Sequence, residues 1–305
     1  TAGAGAASNP AFFNVGSMKN TGIDLMITQR NLLGSKSKFN LDGTFTFTTY
    51  RNEITKIADN IDFFDSRGSR IGNWSRNQVG NPISAFFGYK VAGLFQSADD
   101  VTKSAVQDGA APGRFKYMDI DGNDTINDRD RTFLGNPNPD FTYGLQLNAR
   151  YGGFDLGMFF YGVQGNDVMN YVRWWTDFFP SFQGNKSKDL LYNSWTPTNT
   201  SARTPINENV SNFSTNNAVN DYYMENGSFF RLKNVTLGYT LPTNLVNRVK
   251  IDKARIYFQA TNLFTITKYT GLDPEIIGAS DRELGFDEGI FPTVKQFLVG
   301  LNINF

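Results

Sequence analysis

Cysteine and histidine are both absent from the 305 residues of the chain. Without them the sequence can hold no thiol nucleophile, no thiolate or imidazole metal site and no Ser-His-Asp arrangement. Any acid or base chemistry would fall to carboxylates, lysine or tyrosine. The lack of cysteine also fits an exported protein that needs no disulfide bonds.

A net charge is also missing, because 29 Lys and Arg residues balance 29 Asp and Glu residues. Proteins that bind nucleic acid usually carry an excess of positive charge, so we expect no nucleic-acid partner. Long apolar runs are absent as well, and no stretch reaches the roughly eighteen apolar residues that a membrane-spanning helix needs. We therefore predict that no helix of this chain crosses a membrane.

Aromatic residues, in contrast, are abundant. They make up 15% of the chain, with 28 Phe and 13 Tyr, although the mean hydropathy is only −0.38. A transmembrane β-barrel combines an apolar, aromatic outer band with a polar lumen and polar loops. This composition therefore favours an all-β chain that forms a transmembrane antiparallel barrel.

The last eleven residues, 295–305, alternate apolar and other side chains up to the terminal carboxylate. Because side chains of a strand alternate between its two faces, five apolar residues share one face. These are Phe297, Val299, Leu301, Ile303 and Phe305. A strand that ends on a terminal Phe resembles the C-terminal assembly signal of bacterial outer-membrane barrels, which implies outer-membrane lipid and the barrel assembly machinery as partners. A closing strand in a soluble sandwich is the alternative.

Similar alternation recurs along the chain in segments 22–30, 38–50, 141–151, 154–163, 229–241 and 254–266. Segment 83–95 is strand-like with aromatic residues on both faces, and 70–79 is the weakest candidate strand. Short links at 33–36 and at Gly152-Gly153 predict hairpins, and 243–249 predicts one helical turn. Residues 1–10 carry no pattern and are interpreted as a lead-in. Short turns and long loops alternate, as they do in outer-membrane barrels, which predicts about nine strands. An odd count is unusual for a complete barrel, so we expect residues 1–305 to be the C-terminal segment of a larger one, without its plug domain and TonB box.

Several stretches resemble the SusC-like family of TonB-dependent outer-membrane transporters, which are receptors for nutrients in Bacteroidetes. The resemblance begins with 116–130 and 134–144 and continues in family order through 154–167, 230–242, 260–264 and 269–275. It implies a plugged barrel of about 22 strands, of which these residues supply the C-terminal strands. It also implies import of oligosaccharides or peptides, with a SusD-like surface lipoprotein and the TonB complex as partners. Nutrient contacts would then lie on the loops 51–75, 96–140, 164–228 and 267–293, and no catalytic residue is expected.

One loop carries oxygen side chains at the spacing that Ca²⁺ prefers. Its predicted ligands are Asp119, Asp121, Asn123, Thr125 (through its carbonyl oxygen), Asn127 and Asp130. Two departures weaken the pattern, because Asp124 replaces the usual glycine and Asp130 has a shorter arm than the usual glutamate. The alternative is an Asx-rich turn that bonds to its own backbone. If Ca²⁺ binds, its expected role is to stiffen a long extracellular loop.

The adjacent residues Trp174 and Trp175, with Trp195 further along, suggest an aromatic platform for sugar rings. Tyrosine and tryptophan also gather at membrane interfaces or within loops for structural reasons, and we favour that interpretation. A soluble secreted β-sheet protein that binds glycans through these tryptophans is the alternative function. Neither the acidic pairs nor the glycine-rich segment near residue 280 stands in a context that predicts hydrolysis or nucleotide binding.

Overall fold

The structure is a computed structural model that describes residues 16–33, 38–59, 61–65, 68–179, 184–276, 278 and 283–305. Seven long strands form one antiparallel sheet, the wall sheet, in simple sequence order. The strands are β1 (Gly16–Gln29), β2 (Phe39–Ile57), β3 (Phe141–Tyr151), β4 (Phe154–Gln164), β5 (Phe229–Thr240), β6 (Lys253–Thr267) and β7 (Gln296–Asn304). The predicted lead-in, 1–10, and residues 34–36 of the first predicted link lie outside the described residues.

One face of the wall sheet is apolar from strand to strand. A single row of paired residues crosses six strands, through Leu41, Ala149, Leu156, Leu237, Phe258 and Val299. The side chains of Leu237, Phe258 and Val299 are 48%, 43% and 72% exposed. A large, contiguous and uncovered apolar face is what lipid requires and what a soluble sandwich would have to bury.

The opposite face of the wall sheet is polar. The neighbouring row contains Asp42, Asn148, Gly157, Thr236, Gln259 and Leu298. On this face the Arg255 guanidinium donates to the Asp155 carboxylate with Nε–Oδ1 at 2.8 Å, across the intervening strand β5. The sequence prediction of one apolar and one mixed face is confirmed, because the pairing register aligns the apolar residues across the sheet.

The connections between strands are short at one end of the wall sheet and long at the other. Gly152 and Gly153 join β3 to β4 as predicted, and Gly152 has the positive φ of 57° that such a turn favours in glycine. The predicted helical turn before β6 is also present, as α3 (Thr243–Val246) and a 3₁₀ turn (Asn247–Val249). The long connections are 58–140, 165–228 and 268–295, and their described residues lie at the other end.

The long connections contain their own small elements. Their short strands are Phe63–Asp65, Gly68–Ser69, Gly72–Asn73, Arg76–Gln78, Phe86–Tyr89, Val91–Leu94, Phe115–Tyr117, Arg131–Gly135, Asp167–Asn170, Met224–Asn226 and Phe286–Asp287. Their helices are α1 (Ala98–Thr102), α2 (Lys188–Asn193), the π-helix Trp174–Phe178 and the 3₁₀ turns Asp128–Asp130 and Asp221–Tyr223. No helix among the described residues is long and apolar enough to cross a membrane.

The prediction of wall strands at 83–95 and 70–79 is wrong, and so is the count of nine. Residues 83–95 fold into two short strands within the first long connection, and 70–79 contributes only to two-stranded ribbons there. Phe86, Phe87 and Phe95 are all buried, so aromatic residues on both faces of this segment mark burial on both sides and not exposure to lipid. Strand β2 also extends to Ile57, so the loop predicted at 51–75 begins later.

Candidate functional site

The three long connections pack together into one body, which we call the loop assembly (the described residues of 58–140, 165–228 and 268–295). Its centre is a column of aromatic rings contributed by all three connections. Trp74 stacks on Phe286 at 4.3 Å between ring centroids, Phe286 stacks on Tyr171 at 5.1 Å, and Tyr171 stacks on Trp174 at 5.3 Å. The largest buried apolar cluster of the described residues therefore lies in the loops and not in the wall sheet.

Backbone hydrogen bonds also join the connections. Phe115 N donates to Ser214 O at 2.9 Å and Tyr89 N donates to Val219 O at 2.8 Å, which ties the first connection to the second. Met169 N donates to Gly285 O at 2.9 Å and ties the second connection to the third. Buried backbone groups need such partners, so the loops hold one another in a defined arrangement.

A buried charge network fastens the third connection to the wall sheet. Arg231 of β5 is 2% exposed and donates to Asp273 at 2.5 Å, to Glu275 at 2.7 Å and to Thr293 Oγ1 at 2.9 Å. Lys233 completes the network by donating to Glu275. Burial acts to raise the pKa of the Asp273 carboxyl, but hydrogen bonds from Thr293 and Arg231 hold it at about 2. The Asp273 carboxyl therefore stays ionised at neutral pH, where it pairs with Arg231.

A polar cleft of about 610 Å³ opens in the loop assembly around Arg173. The Arg173 guanidinium lies 4.2 Å from the ring centroid of Tyr222 and donates to the Tyr222 hydroxyl at 2.6 Å. Three carboxylates surround the same guanidinium, namely Asp177 at 3.5 Å, Asp189 at 3.1 Å and Glu225 at 3.9 Å. A second, more apolar lobe lined by Val172, Thr176 and Leu272 shares Arg173 and Asp189 with this cleft.

The predicted calcium loop brings three of its acids together. Asp119, Asp121 and Asp130 each place a carboxylate oxygen within 4.8 Å of the other two. Asp124 takes the left-handed backbone conformation, with φ of 59°, that the glycine position of a calcium loop requires. Burial acts to raise the pKa of Asp119, but hydrogen bonds from the backbone amides of Asp124, Gly122 and Asn123 lower it below its ordinary value.

The same loop also satisfies many of its oxygens internally. Asp130 is fully buried and accepts from the backbone amides of Ile120 and Asn127, at 2.8 and 2.7 Å. The remaining predicted ligands pair locally: Asn123 Oδ1 accepts from Thr125 N, and Asn127 Nδ2 donates to Thr125 O. These are the bonds of the alternative Asx-rich turn. Binding of Ca²⁺ at this loop stays a prediction.

The tryptophans take different positions within the loop assembly. Trp174 is buried, with its Nε1 donating to Asn216 O at 2.8 Å, and Trp195 is buried with its Nε1 donating to Gln96 Oε1 at 3.0 Å. Trp175 is half-buried and meets Trp174 edge to face at 4.9 Å. This geometry fits the loop-packing interpretation for Trp174, and contact of Trp174 and Trp175 with a ligand stays a prediction.

Strand β7 carries the predicted assembly signal along its length and ends on the side of the wall sheet with short connections. Phe297, Val299, Leu301 and Ile303 pair with Ala260, Phe258, Ile256 and Ala254 of β6, so they share the apolar face. Phe305 follows the strand and is 87% exposed. The shared face of the four strand residues is confirmed, whereas the facing of Phe305 and the role of all five residues in assembly stay predictions.

Sequence reasoning missed the Arg231 network and the Arg173 cleft. One signal was available for the first: Arg231 and Lys233 are two cations close together in one strand, and a cation that becomes buried there needs acidic partners. Nothing comparable marks the cleft, because its residues come from irregular loops far apart in sequence.

Known proteins share both the sequence and the fold. A TonB-dependent receptor of Formosa agariphila is 31% identical over 307 residues, which cover 96% of this chain and 29% of that protein. The TonB-dependent receptor SusC of Bacteroides thetaiotaomicron is 29% identical over 301 residues, covering 96% of this chain and 27% of SusC. The chain thus spans less than a third of the length of either relative. No family model matches the sequence.

Among solved structures, the RagAB peptide transporter superposes with a TM-score of 0.75 at 27% identity, covering 96% of this chain and 30% of that one. Its closed-closed state, described as a peptide importer, gives a TM-score of 0.73 at 28% identity. The likeness extends over both the wall sheet and the loop assembly. Over nearly its whole length the chain is thus similar to TonB-dependent receptors, SusC among them, and its wall sheet is part of an outer-membrane β-barrel.

Proposed function

We propose that this chain supplies part of the wall and of the extracellular loops of a transporter that imports oligomeric nutrients across the outer membrane. The observation that carries the proposal is the loop assembly, which is a folded body with its own aromatic core at one end of a membrane-facing sheet. Loops that only connected strands would not need such a core, whereas loops that recognise a ligand need a fixed shape.

The relatives support the same function. They are described as TonB-dependent receptors, and RagAB is described as a peptide transporter. We infer that import by the whole protein depends on TonB and that a SusD-like lipoprotein sits over the loop assembly. Oligosaccharides and peptides are both candidate nutrients. The described residues contribute binding surface and wall, and we assign no catalytic step to them.

Deletion of the gene in its native bacterium tests the proposal. Uptake of fluorescent oligosaccharides and peptides should fall for at least one class and return on complementation. The same uptake should stop when the proton gradient that drives TonB is dissipated. Uptake of every oligomer at wild-type rates in the deletion strain would overturn the proposed function.

Purification from native membranes tests the partner separately. Mild detergent extraction of the tagged receptor should recover one surface lipoprotein in equal amount. Recovery of the receptor alone after chemical cross-linking in cells would contradict a lipoprotein partner, while import could still hold.

A further inference from the structure

We propose that the Arg173 cleft recognises carboxylate groups of an oligomeric nutrient, and that Arg203 and Lys268 make the charged contacts. This inference rests on the proposed function, since it names the ligand chemistry of the same loop assembly. Some charged groups of the cleft already have bonded protein partners and others do not, and this difference indicates which charge a ligand must carry.

The acids of the cleft are already engaged. Asp189 accepts from Arg173, from Asn193 at 2.7 Å and from Thr204 at 2.9 Å. Glu225 accepts from Asn170 at 2.9 Å and from the Thr270 amide and hydroxyl, each at 2.8 Å. Their acceptor capacity is largely used, so a cationic or donor-rich ligand would have to break existing bonds.

The central cation is engaged as well. Arg173 is held by Asp177, Asp189 and Glu225 and lies over the Tyr222 ring, so its donors face protein acceptors. Removing it from these partners would strand a carboxylate such as Asp177, whose side chain is 1% exposed. Arg173 therefore shapes the cleft and is not free to bind a ligand.

Two other cations of the cleft lack the hydrogen-bonded partners that Arg173 has. Arg203, from the second connection, and Lys268, from the third, both line the cleft and are both exposed. Within the part of the chain that the structure describes, neither side chain makes a hydrogen bond or an ion pair. Arg203 interacts electrostatically, beyond ion-pair distance, with Asp221, an acid of the same cleft that accepts from Val91 N at 2.9 Å. Together they offer eight N–H donors, five on the guanidinium and three on the ammonium.

A ligand that fits must therefore bring acceptors, and carboxylates are the acceptors that pair best with guanidinium and ammonium groups. Two kinds of nutrient oligomer carry them: acidic peptides and oligosaccharides built from uronic acids. Neutral sugars usually need an open aromatic face, and the Tyr222 ring is already covered by Arg173 on one side and packs against Phe115 at 5.2 Å.

Binding to the detergent-purified native transporter complex tests the inference. The probes are fluorescent tetraglutamate and tetragalacturonate, with tetraglutamine and tetragalactose as neutral counterparts. The test variant is the double substitution Arg203→Gln with Lys268→Gln, and a charge-retaining pair is Arg203→Lys with Lys268→Arg. Lys103→Gln is the matched control, because Lys103 is an exposed cation of the loop assembly outside the cleft.

We expect at least one acidic probe to bind better than its neutral counterpart, and to lose about tenfold to a hundredfold in affinity in the double Gln variant. The charge-retaining pair and Lys103→Gln should bind nearly as the wild type does, and added salt should weaken binding. The acidic probe that shows this dependence identifies the source of the carboxylate, peptide or sugar.

Equal binding by wild type and the double Gln variant would overturn the inference, as would a wild type that prefers neither acidic probe. These results leave the proposed function intact if the deletion strain still loses uptake of a neutral oligomer. Loss of the proposed function would instead appear as unchanged uptake in the deletion strain, whatever the purified protein binds.

Discussion

At the scale of single residues, the clearest feature is the buried charge network around Arg231. Arg231 lies on the polar face of a wall strand, yet it is almost inaccessible because Asp273, Glu275 and Thr293 fold down onto it. A buried pair adds little net stability compared with apolar residues, but breaking it leaves a costly unpaired charge. We interpret the network as the fastening that fixes where the third connection lies.

Asp273→Asn should loosen this fastening. The change removes one of the two carboxylates around Arg231, and we expect a loss of about 3 kcal/mol in local stability. Hydrogen exchange of the native transporter should show faster exchange in 268–276 and 283–295. Asp99→Asn, in an exposed pair with Lys103, is the matched control. Unchanged exchange in the Asp273 variant would contradict the role of the network.

The stability of the third connection should fall at low pH because of Asp273. The pKa of Asp273 in the folded protein is about 2, below its ordinary value of 3.8, so its contribution is present above about pH 4 and is lost as the pH falls toward 2. A shift of this size corresponds to roughly 2 kcal/mol. The wild type should therefore show increasing exchange in the third connection over this range, and the Asp273→Asn variant should show less change.

The calcium prediction also belongs to single residues. Asp119→Ala with Asp121→Ala should abolish any calcium-dependent protection of 96–140 against protease, because two of the three gathered carboxylates are lost. The wild type should gain protection on addition of Ca²⁺ and lose it on addition of a chelator. Equal protection of wild type and variant would favour the Asx-rich turn.

At the scale of elements, one face of β7 requires apolar side chains and the other accepts polar ones. Val299 pairs with Phe258 on the apolar face, and the adjacent Leu298 pairs with Gln259 on the polar face. Val299→Arg should cost about 2–4 kcal/mol near the bilayer midplane and reduce the amount of assembled protein.

Leu298→Arg is the matched control, since it places the same side chain one residue away on the polar face. It is a better control than Asn302→Arg, because Asn302 lies opposite Arg255 and would add a like charge. Heat-modifiable migration in gels measures folded receptor in the membrane. Equal loss from both Arg variants would contradict the facing of β7.

The elements also show what the sequence could and could not predict. Period-two alternation located the wall strands, because a lipid-facing strand must repeat its apolar residues at every second position. The same reasoning failed at 83–95, where Phe86 and Phe87 are buried on opposite sides by other loops. Burial on both sides removes the alternation signal, and only the packing partners reveal it.

At the scale of the whole molecule, the connections are as highly organised as the barrel wall. The stack of Trp74, Phe286, Tyr171 and Trp174 depends on residues from all three connections. Resemblance of short motifs to a transporter family indicated the fold and the outer membrane, and the similarity to SusC and RagAB confirms both. The cleft could not be predicted, since no spacing along the chain places Arg173, Arg203 and Lys268 together.

We propose that the loop assembly lies outside the cell while the short turns lie on the periplasmic side. This chain has no cysteine, so a cysteine introduced into it is its one thiol, and labelling of the unsubstituted receptor gives the background. Tyr192 in α2 and Arg248 in the turn before β6 are both exposed and lie at opposite ends of the wall sheet.

The most direct measurement is labelling of Tyr192→Cys and Arg248→Cys receptors with a membrane-impermeant maleimide in intact cells. We expect Tyr192→Cys to react in intact cells and Arg248→Cys to react only after the outer membrane is permeabilised. Labelling of both positions in intact cells, or of Arg248→Cys alone, would contradict the proposed arrangement of the receptor in the membrane.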